Sequence, residues 1–216
     1  MSSKKCGVIR FPGTNCDRDV FSAIESAGHQ AEWLWHQDQF DATSYSSIFL
    51  PGGFSYGDYL RAGALAARSP VMKSVREAAK NGTPILGICN GFQILCEAQL
   101  LPGVLTRNKT LRFNDDWVTL VNFGSNPHFA EAVKTEDRLR LPVAHADGRY
   151  HIDNDGLRDI QDNEQIWFLY ENNPNGSVGN VAGVMNREKN VAALMPHPER
   201  AMFDWMGGKD GFSFFN

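Results

Sequence analysis

Apolar runs of strand length alternate with amphipathic stretches of helical period along the first half of the chain. Residues 6–11 (CGVIRF) form a compact apolar run stopped by Pro12-Gly13, which predicts a buried strand. In residues 17–27, Val20, Phe21, Ile24 and Ala27 recur at helical spacing, and Gly28 supplies a C-terminal stop. Residues 31–35 and 47–50 read as two further strands. Ser69-Pro70 opens a helix that runs to Lys80 and ends at Asn81-Gly82. Residues 84–88 (PILGI) are the next strand, followed at once by a helical run over 90–100. Strands separated by helices imply parallel pairing through right-handed crossovers, with ligands binding beyond the carboxyl ends of the strands. The loops at those ends carry PGTN, PGGFSYGD and CNG.

The second half reads differently. Residues 118–121, 139–143, 166–170, 181–185 and 191–195 predict short strands with few helical patterns between them, and Asn172-Asn173-Pro174-Asn175-Gly176 is a clear loop. The expectation is an α/β fold over residues 1–216 as a single domain. Its central sheet is mostly parallel but mixed, helices flank it, and the β-rich C-terminal half either extends that sheet antiparallel or lies beside it.

Composition narrows the function classes. A hydrophobic share of 42% with 21% charged residues suits a globular chain, and 216 residues suffice for one sizeable core. A net charge of −4, without a basic stripe, argues against a nucleic-acid partner. No apolar run approaches the roughly 20 residues that span a bilayer, so no membrane association is expected. Residues 1–10 lack the apolar core of a secretory signal, which points to the cytoplasm. The four cysteines, Cys6, Cys16, Cys89 and Cys96, read as free thiols, and no Cys/His spacing resembles a zinc site, so no metal is expected.

The chemistry concentrates in Gly87-Ile88-Cys89-Asn90-Gly91-Phe92-Gln93. A cysteine at a strand-to-helix corner, with glycines two residues before and after, is forced into an exposed and strained turn. The helix that follows aims its N-terminus at the sulfur, favouring the thiolate and offering N–H groups to an oxyanion. Cys6 and Cys96 read as core residues; Cys16, after the PGTN turn, could line the cleft, with packing as its expected role. A cysteine nucleophile needs a base and the base an orienting partner. Met195-Pro196-His197-Pro198-Glu199-Arg200 offers both, with prolines stiffening the turn around His197 and Glu199 placed to set its tautomer. Gly52-Gly53, at the end of the third strand, leaves backbone N–H groups free to face developing negative charge. The stretch matches neither a dinucleotide fingerprint nor a P-loop.

Together these segments resemble the class I (triad) glutamine amidotransferases. Within that class, FPGTNCDRD, PGGFSYGDYLRAGA, GICNGFQIL, LTRNK, PVAHADGRY, NPNGS and MPHPERA look like the family of stand-alone glutaminase subunits of phosphoribosylformylglycinamidine synthases. The resemblance implies that Cys89 attacks the carboxamide of L-glutamine, that His197 shuttles the proton, and that Glu199 orients His197. It implies an oxyanion hole from the N–H groups of Gly53 and Asn90 beside Gly52, and makes Gln93, one helical turn after Cys89, a candidate substrate contact. The partners it implies are a synthetase that uses ATP and Mg and a small accessory subunit, with no cofactor in this chain. His145 falls in a family-typical segment, and Arg107, Asn108 and Lys109 form a candidate docking surface. An amidotransferase of another pathway, a γ-glutamyl hydrolase and a non-catalytic scaffold are the competing readings.

Overall fold

The computed structural model describes residues 3–216. In the first half, β1 (Lys5–Arg10), β2 (Gln30–Trp35), β3 (Ser47–Leu50) and β4 (Ile85–Ile88) run parallel in the spatial order β2-β1-β3-β4. Helix α1 (Asp17–Ser26) links β1 to β2, and α2 (Val71–Lys80) precedes β4. Strands β3 and β4 are buried at every position, which is why they read as unbroken apolar runs rather than alternating ones. Helix α3 (Asn90–Glu97) begins immediately after Cys89 and ends short of Leu100, because Gln99 adopts a left-handed φ of 57°.

The second half extends the same sheet. The chain forms β5 (Val104–Thr106), β6 (Asn114–Asn122), β7 (Arg138–His145), β8 (Arg149–His151), α4 (Asn154–Asp162), β9 (Ile166–Tyr170), β10 (Val181–Met185) and β11 (Val191–Leu194). Strand β11 pairs parallel with β4, and β10, β9, β6 and β7 continue outward in antiparallel pairing. The nine strands therefore make one mixed sheet, and strands from both halves of the chain, β4 and β11, meet at its centre. Strands β5 and β8 pair as a separate two-stranded ribbon.

Three elements escape the sequence pattern. Helix α4 turns Leu157 and Ile160, three residues apart, to the core in an otherwise polar stretch; Asp153 starts it by accepting from the Gly156 N–H at 2.7 Å. The three-residue strands β5 and β8 are too short to carry a period. Strand β6 begins at Asn114 rather than Val118, since its polar first residues pair only with the edge strand β7. Pro142 lies within β7, and an edge position tolerates its missing N–H. The Phe-rich tail packs inward: Phe215 stacks on Phe49 with ring centroids 5.6 Å apart, and Phe214 lies 5.5 Å from Trp167. Among the described residues, no helix is long and apolar enough to cross a membrane.

Candidate active site

Because β1, β3, β4 and β11 are parallel, the loops after them emerge on one side of the sheet. The sharpest is at Cys89, between β4 and α3, with φ 50° and ψ −103°. That conformation costs a non-glycine residue about 1–3 kcal/mol, so surrounding bonds must enforce it. The Cys89 N–H donates to the Leu194 carbonyl of β11 at 2.9 Å, and the N–H groups of Phe92 and Gln93 donate to the Cys89 carbonyl at 3.0 and 3.2 Å. Gly91 is dictated by space: a Cβ there would lie 1.9 Å from the Leu50 carbonyl oxygen, so α3 meets the end of β3 only without a side chain.

His197 follows β11 and is tied across the cleft, its N–H donating to the Pro142 carbonyl of β7 at 2.8 Å. One 3₁₀ turn, Pro198–Arg200, then swings Glu199 back beneath the ring. His197 Nδ1 lies 2.6 Å from Glu199 Oε1, with both side chains almost wholly enclosed. Burial by itself would lower the imidazole pKa. The Glu199 carboxylate, with the sulfurs of Cys89 and Cys16, outweighs it and holds His197 well above its ordinary value. His197 Nε2 is buried and has no hydrogen-bond partner. One ring nitrogen is thus fixed by a carboxylate while the other is enclosed and unpartnered.

Gly52 closes the arrangement from below. A Cβ on Gly52 would lie 2.7 Å from His197 Cε1, 3.2 Å from Cys16 Sγ and 3.4 Å from Cys89 Cβ, so these three groups surround one point. Gly53, at φ 144°, bridges to Thr14, and the neighbouring Phe54 N–H donates to the Gly13 carbonyl at 3.0 Å. The glycine loop is fastened to α3 by the Ser55 N–H donating to Asn90 Oδ1 at 3.1 Å. Gln93 is buried behind this wall. Its Oε1 accepts from Asn90 Nδ2 at 2.8 Å and its Nε2 donates to the Asp147 carbonyl at 2.7 Å, so both ends of the amide are engaged by protein rather than turned to the cleft.

The cleft above Cys89 has a volume of about 280 Å³ and includes His197, Cys16, Arg200, Asp115 and Phe113 in its lining. Depressions of about 530 and 660 Å³ lie elsewhere, but neither contains Cys89, His197 or Glu199, so chemistry rather than size selects the smaller one. Nothing in the sequence pattern marks Asp115 for chemistry, and Cys16 had only its place after the PGTN turn. Arg200 had a signal in its position beside Glu199, whereas Cys16 meets His197 only through the fold. Among the described residues, the one His/Cys/Asp/Glu group with metal-ligand proximity is Cys16, His197 and Glu199, whose ligand atoms lie within 4.8 Å of one another.

One expectation changes, and His145, left open by the sequence, finds its surroundings. Asn108, expected on a docking surface with Arg107 and Lys109, is fully buried. Its Nδ2 donates to the carbonyls of Arg112 and His145, both at 2.9 Å, and its Oδ1 accepts from the Gly148 N–H at 3.1 Å. It is a brace for the loop after β7, while Arg107 and Lys109 remain exposed. His145 is buried beside Asn108, and burial, with the charge of His197, pushes its pKa down to about 4. The folded ring therefore binds a proton less readily than the unfolded one. Stability present at pH 7 is lost as the pH falls below 6.5, with the loss complete near 4. The expected cost is on the order of 3 kcal/mol. Urea midpoints measured between pH 7 and 4 should fall less steeply for His145→Gln than for the native chain; equal slopes would show that His145 contributes nothing.

Comparison with known proteins agrees with this geometry. The sequence profile of the CobB/CobQ-like glutamine amidotransferase domain matches residues 3–209. The chain is 49% identical over 204 residues to the phosphoribosylformylglycinamidine synthase subunit PurQ of Helicobacter hepaticus, covering 94% of this chain and 92% of that protein. Among solved structures, PurLQS from Thermotoga maritima matches with a TM-score of 0.90 and 41% identity, over 98% of this chain and 95% of the matched one. A glutamine amidotransferase from the same organism shares the fold, with a TM-score of 0.62 at 20% identity, over 93% of this chain and 78% of that one. With its cysteine elbow, its buried His–Glu pair and these matches along nearly its whole length, the chain belongs to the CobB/CobQ-like glutamine amidotransferase family, in the group of the PurQ subunits.

Proposed function

We propose that this chain is the glutaminase subunit of a phosphoribosylformylglycinamidine synthase, releasing ammonia from L-glutamine for an ATP-dependent synthetase that amidates formylglycinamide ribonucleotide. The observation that carries this reading is the strained Cys89 elbow facing a His197–Glu199 pair closed at 2.6 Å, in a chain 49% identical to a PurQ subunit. Cys89 Sγ attacks the carboxamide carbon and the carbonyl oxygen becomes an oxyanion. The backbone N–H groups of Gly53 and Asn90 receive that charge, the second of them at the positive end of α3. His197 Nε2 takes the Cys89 thiol proton on attack and delivers it to the departing ammonia, leaving a glutamyl thioester. The same nitrogen then takes a proton from water as it attacks the thioester and returns it to the Cys89 sulfur as glutamate leaves. Glu199 keeps the ring oriented and stabilises its charged form throughout. Arg200 and Asp115, of opposite charge on the same cleft, suit the zwitterionic end of an amino acid.

Residues 1–216 act as one domain on this reading, supported by a sheet that draws strands from both halves. ATP and Mg belong to the synthetase, in keeping with a cleft of only about 280 Å³. Partnership with a synthetase and a small accessory subunit follows from the likeness to PurLQS and from the sequence resemblance. Four buried free thiols accord with a cytoplasmic setting. A scaffold role is disfavoured because a decayed site would have no use for the strained backbone at Cys89.

The test is glutamate release by the purified chain with and without its synthetase and the synthetase's substrates. Turnover that rises on assembly is expected; silence in both conditions would overturn the proposal. Gly52→Ala provides a second check, since its methyl group must displace His197 or Cys89. A displacement near 1 Å costs about 10²-fold in rate, so kcat should fall by that order while circular dichroism stays native. Near-native kcat would mean that the triad is not closed over Gly52.

A further inference from the structure

Just past Gly52 and Gly53 the same loop enters an unfavourable backbone. Tyr56, Gly57 and Asp58 stand one after another at left-handed φ values of 54°, 67° and 54°. Left-handed backbone is disfavoured wherever a Cβ is present, so the run persists only where outside bonds hold it. The Tyr56 N–H donates to the Pro12 carbonyl at 2.6 Å and the Gly57 N–H to the Phe54 carbonyl at 2.8 Å, but both of those partners are themselves loop residues. The Tyr56 side chain reaches further. Its hydroxyl lies 2.6 Å from His36 Nδ1 and 2.9 Å from Ser69 Oγ, and one O–H with its lone pairs can serve both. The His36 ring meets the Tyr56 ring edge to face, with centroids 5.5 Å apart. His36 follows β2 and Ser69 precedes α2, and both are buried. His36 is fixed in turn: its N–H donates to the Arg10 carbonyl and its carbonyl accepts from the Val71 N–H, each at 3.1 Å. The hydroxyl thus joins the glycine loop to β2 and α2, as Asn90 joins it to α3.

We propose that Tyr56 is a positioning residue for the oxyanion hole, its hydroxyl bonds to His36 and Ser69 keeping the Gly53 N–H aimed at the carboxamide oxygen of glutamine. The role rests on the glutaminase reading and deepens it. Tyr56 does not line the cleft, whose wall is built by Gly53 and Phe54, so it acts through the short span of chain between them. Gly53, at φ 144°, has no side chain to fix its own peptide, and its direction is set by what holds the residues on either side. Without the hydroxyl bonds, Tyr56 and Asp58 are free to relax out of the left-handed region. Three residues of chain are too few to absorb that change, and the Gly53 peptide turns with it. An oxyanion donor acts on charge that develops only in the transition state, so its misalignment lowers kcat and leaves KM in place.

Two measurements on the full-length chain test this, each on the native protein and on Tyr56→Phe. The first is amide hydrogen exchange of the peptide over residues 52–58, followed by mass spectrometry; it does not depend on the glutaminase reading. Loss of a buried hydroxyl bond is worth roughly tenfold in a local opening equilibrium. Exchange in that peptide should quicken by that order in Tyr56→Phe and stay native over the rest of the chain. Unchanged exchange overturns the proposal. The second is kcat and KM for glutamine in the complex with the synthetase. A displacement near 1 Å costs about 10²-fold in rate, so kcat should fall at least about tenfold while KM stays within about twofold. A smaller fall, or one carried by KM, overturns the positioning role, since a tyrosine that only supports the fold lowers stability without separating kcat from KM. A native complex that releases no glutamate overturns the glutaminase reading and this role with it, a result distinct from a folded Tyr56→Phe with native kcat. Should Tyr56→Phe not fold, His36→Leu removes the nearer partner of the hydroxyl and is held to the same two outcomes.

Discussion

Replacing Cys89 with alanine is expected to lower glutamine hydrolysis by about 10⁴- to 10⁶-fold, the range over which loss of a triad nucleophile acts. No other group on the cleft combines a strained corner backbone with a helix N-terminus. The substitution removes one sulfur from a residue 5% exposed and leaves the positive φ to be borne by alanine. Stability should therefore change by no more than about 1 kcal/mol. Glutamate release and urea unfolding on the same preparation separate the two effects. A residual rate above about a hundredth of the native one, in a folded variant, would move the nucleophile elsewhere. Cys16 would be the first place to look, since it lies against the same imidazole.

Glu199→Gln should cost about 10⁴-fold, the penalty for a triad whose histidine loses its orienting carboxylate. The amide is nearly isosteric, so the pocket keeps its shape while the ring loses its anionic partner. In the native chain Glu199 is the main influence opposing burial and holding the His197 pKa high. Without it burial prevails, and the imidazole gives up its proton at lower pH. The limb of the kcat/KM profile that reports His197 should accordingly move toward acid in the variant. A profile that stays in place, or a loss below about tenfold, would show that the 2.6 Å pair is a packing contact and not part of the chemistry.

What was legible in the sequence is what short-range physics determines. Strands β3 and β4 are buried on both faces, and their apolar runs say so without help from the rest of the chain. The elbow is legible for the same reason, since Gly87 and Gly91 permit a turn that larger residues would block. His197 and Glu199 are two residues apart, and the prolines beside the histidine restrict the turn between them. Helix α4 was missed because only Leu157 and Ile160 mark its core face among polar residues that read as loop. Asn108 was misplaced because its partners, the His145 carbonyl and the Gly148 N–H, come from a distant part of the chain. Cys16 looked like a packing residue because its chemical neighbour lies at the other end of the chain. Local turns write themselves into sequence; the company a side chain keeps across the fold does not.

The central claim is that glutamine is opened through a covalent bond to Cys89. The most direct measurement is acid-quenched peptide mass spectrometry of the chain turning over glutamine with its synthetase. The account predicts that the peptide containing Cys89 gains the mass of one glutamyl group, that the gain decays as glutamine is exhausted, and that it is absent from Cys89→Ala. Steady turnover with the glutamyl group on the peptide containing Cys16, or undiminished turnover by Cys89→Ala with no acylated peptide, would contradict it.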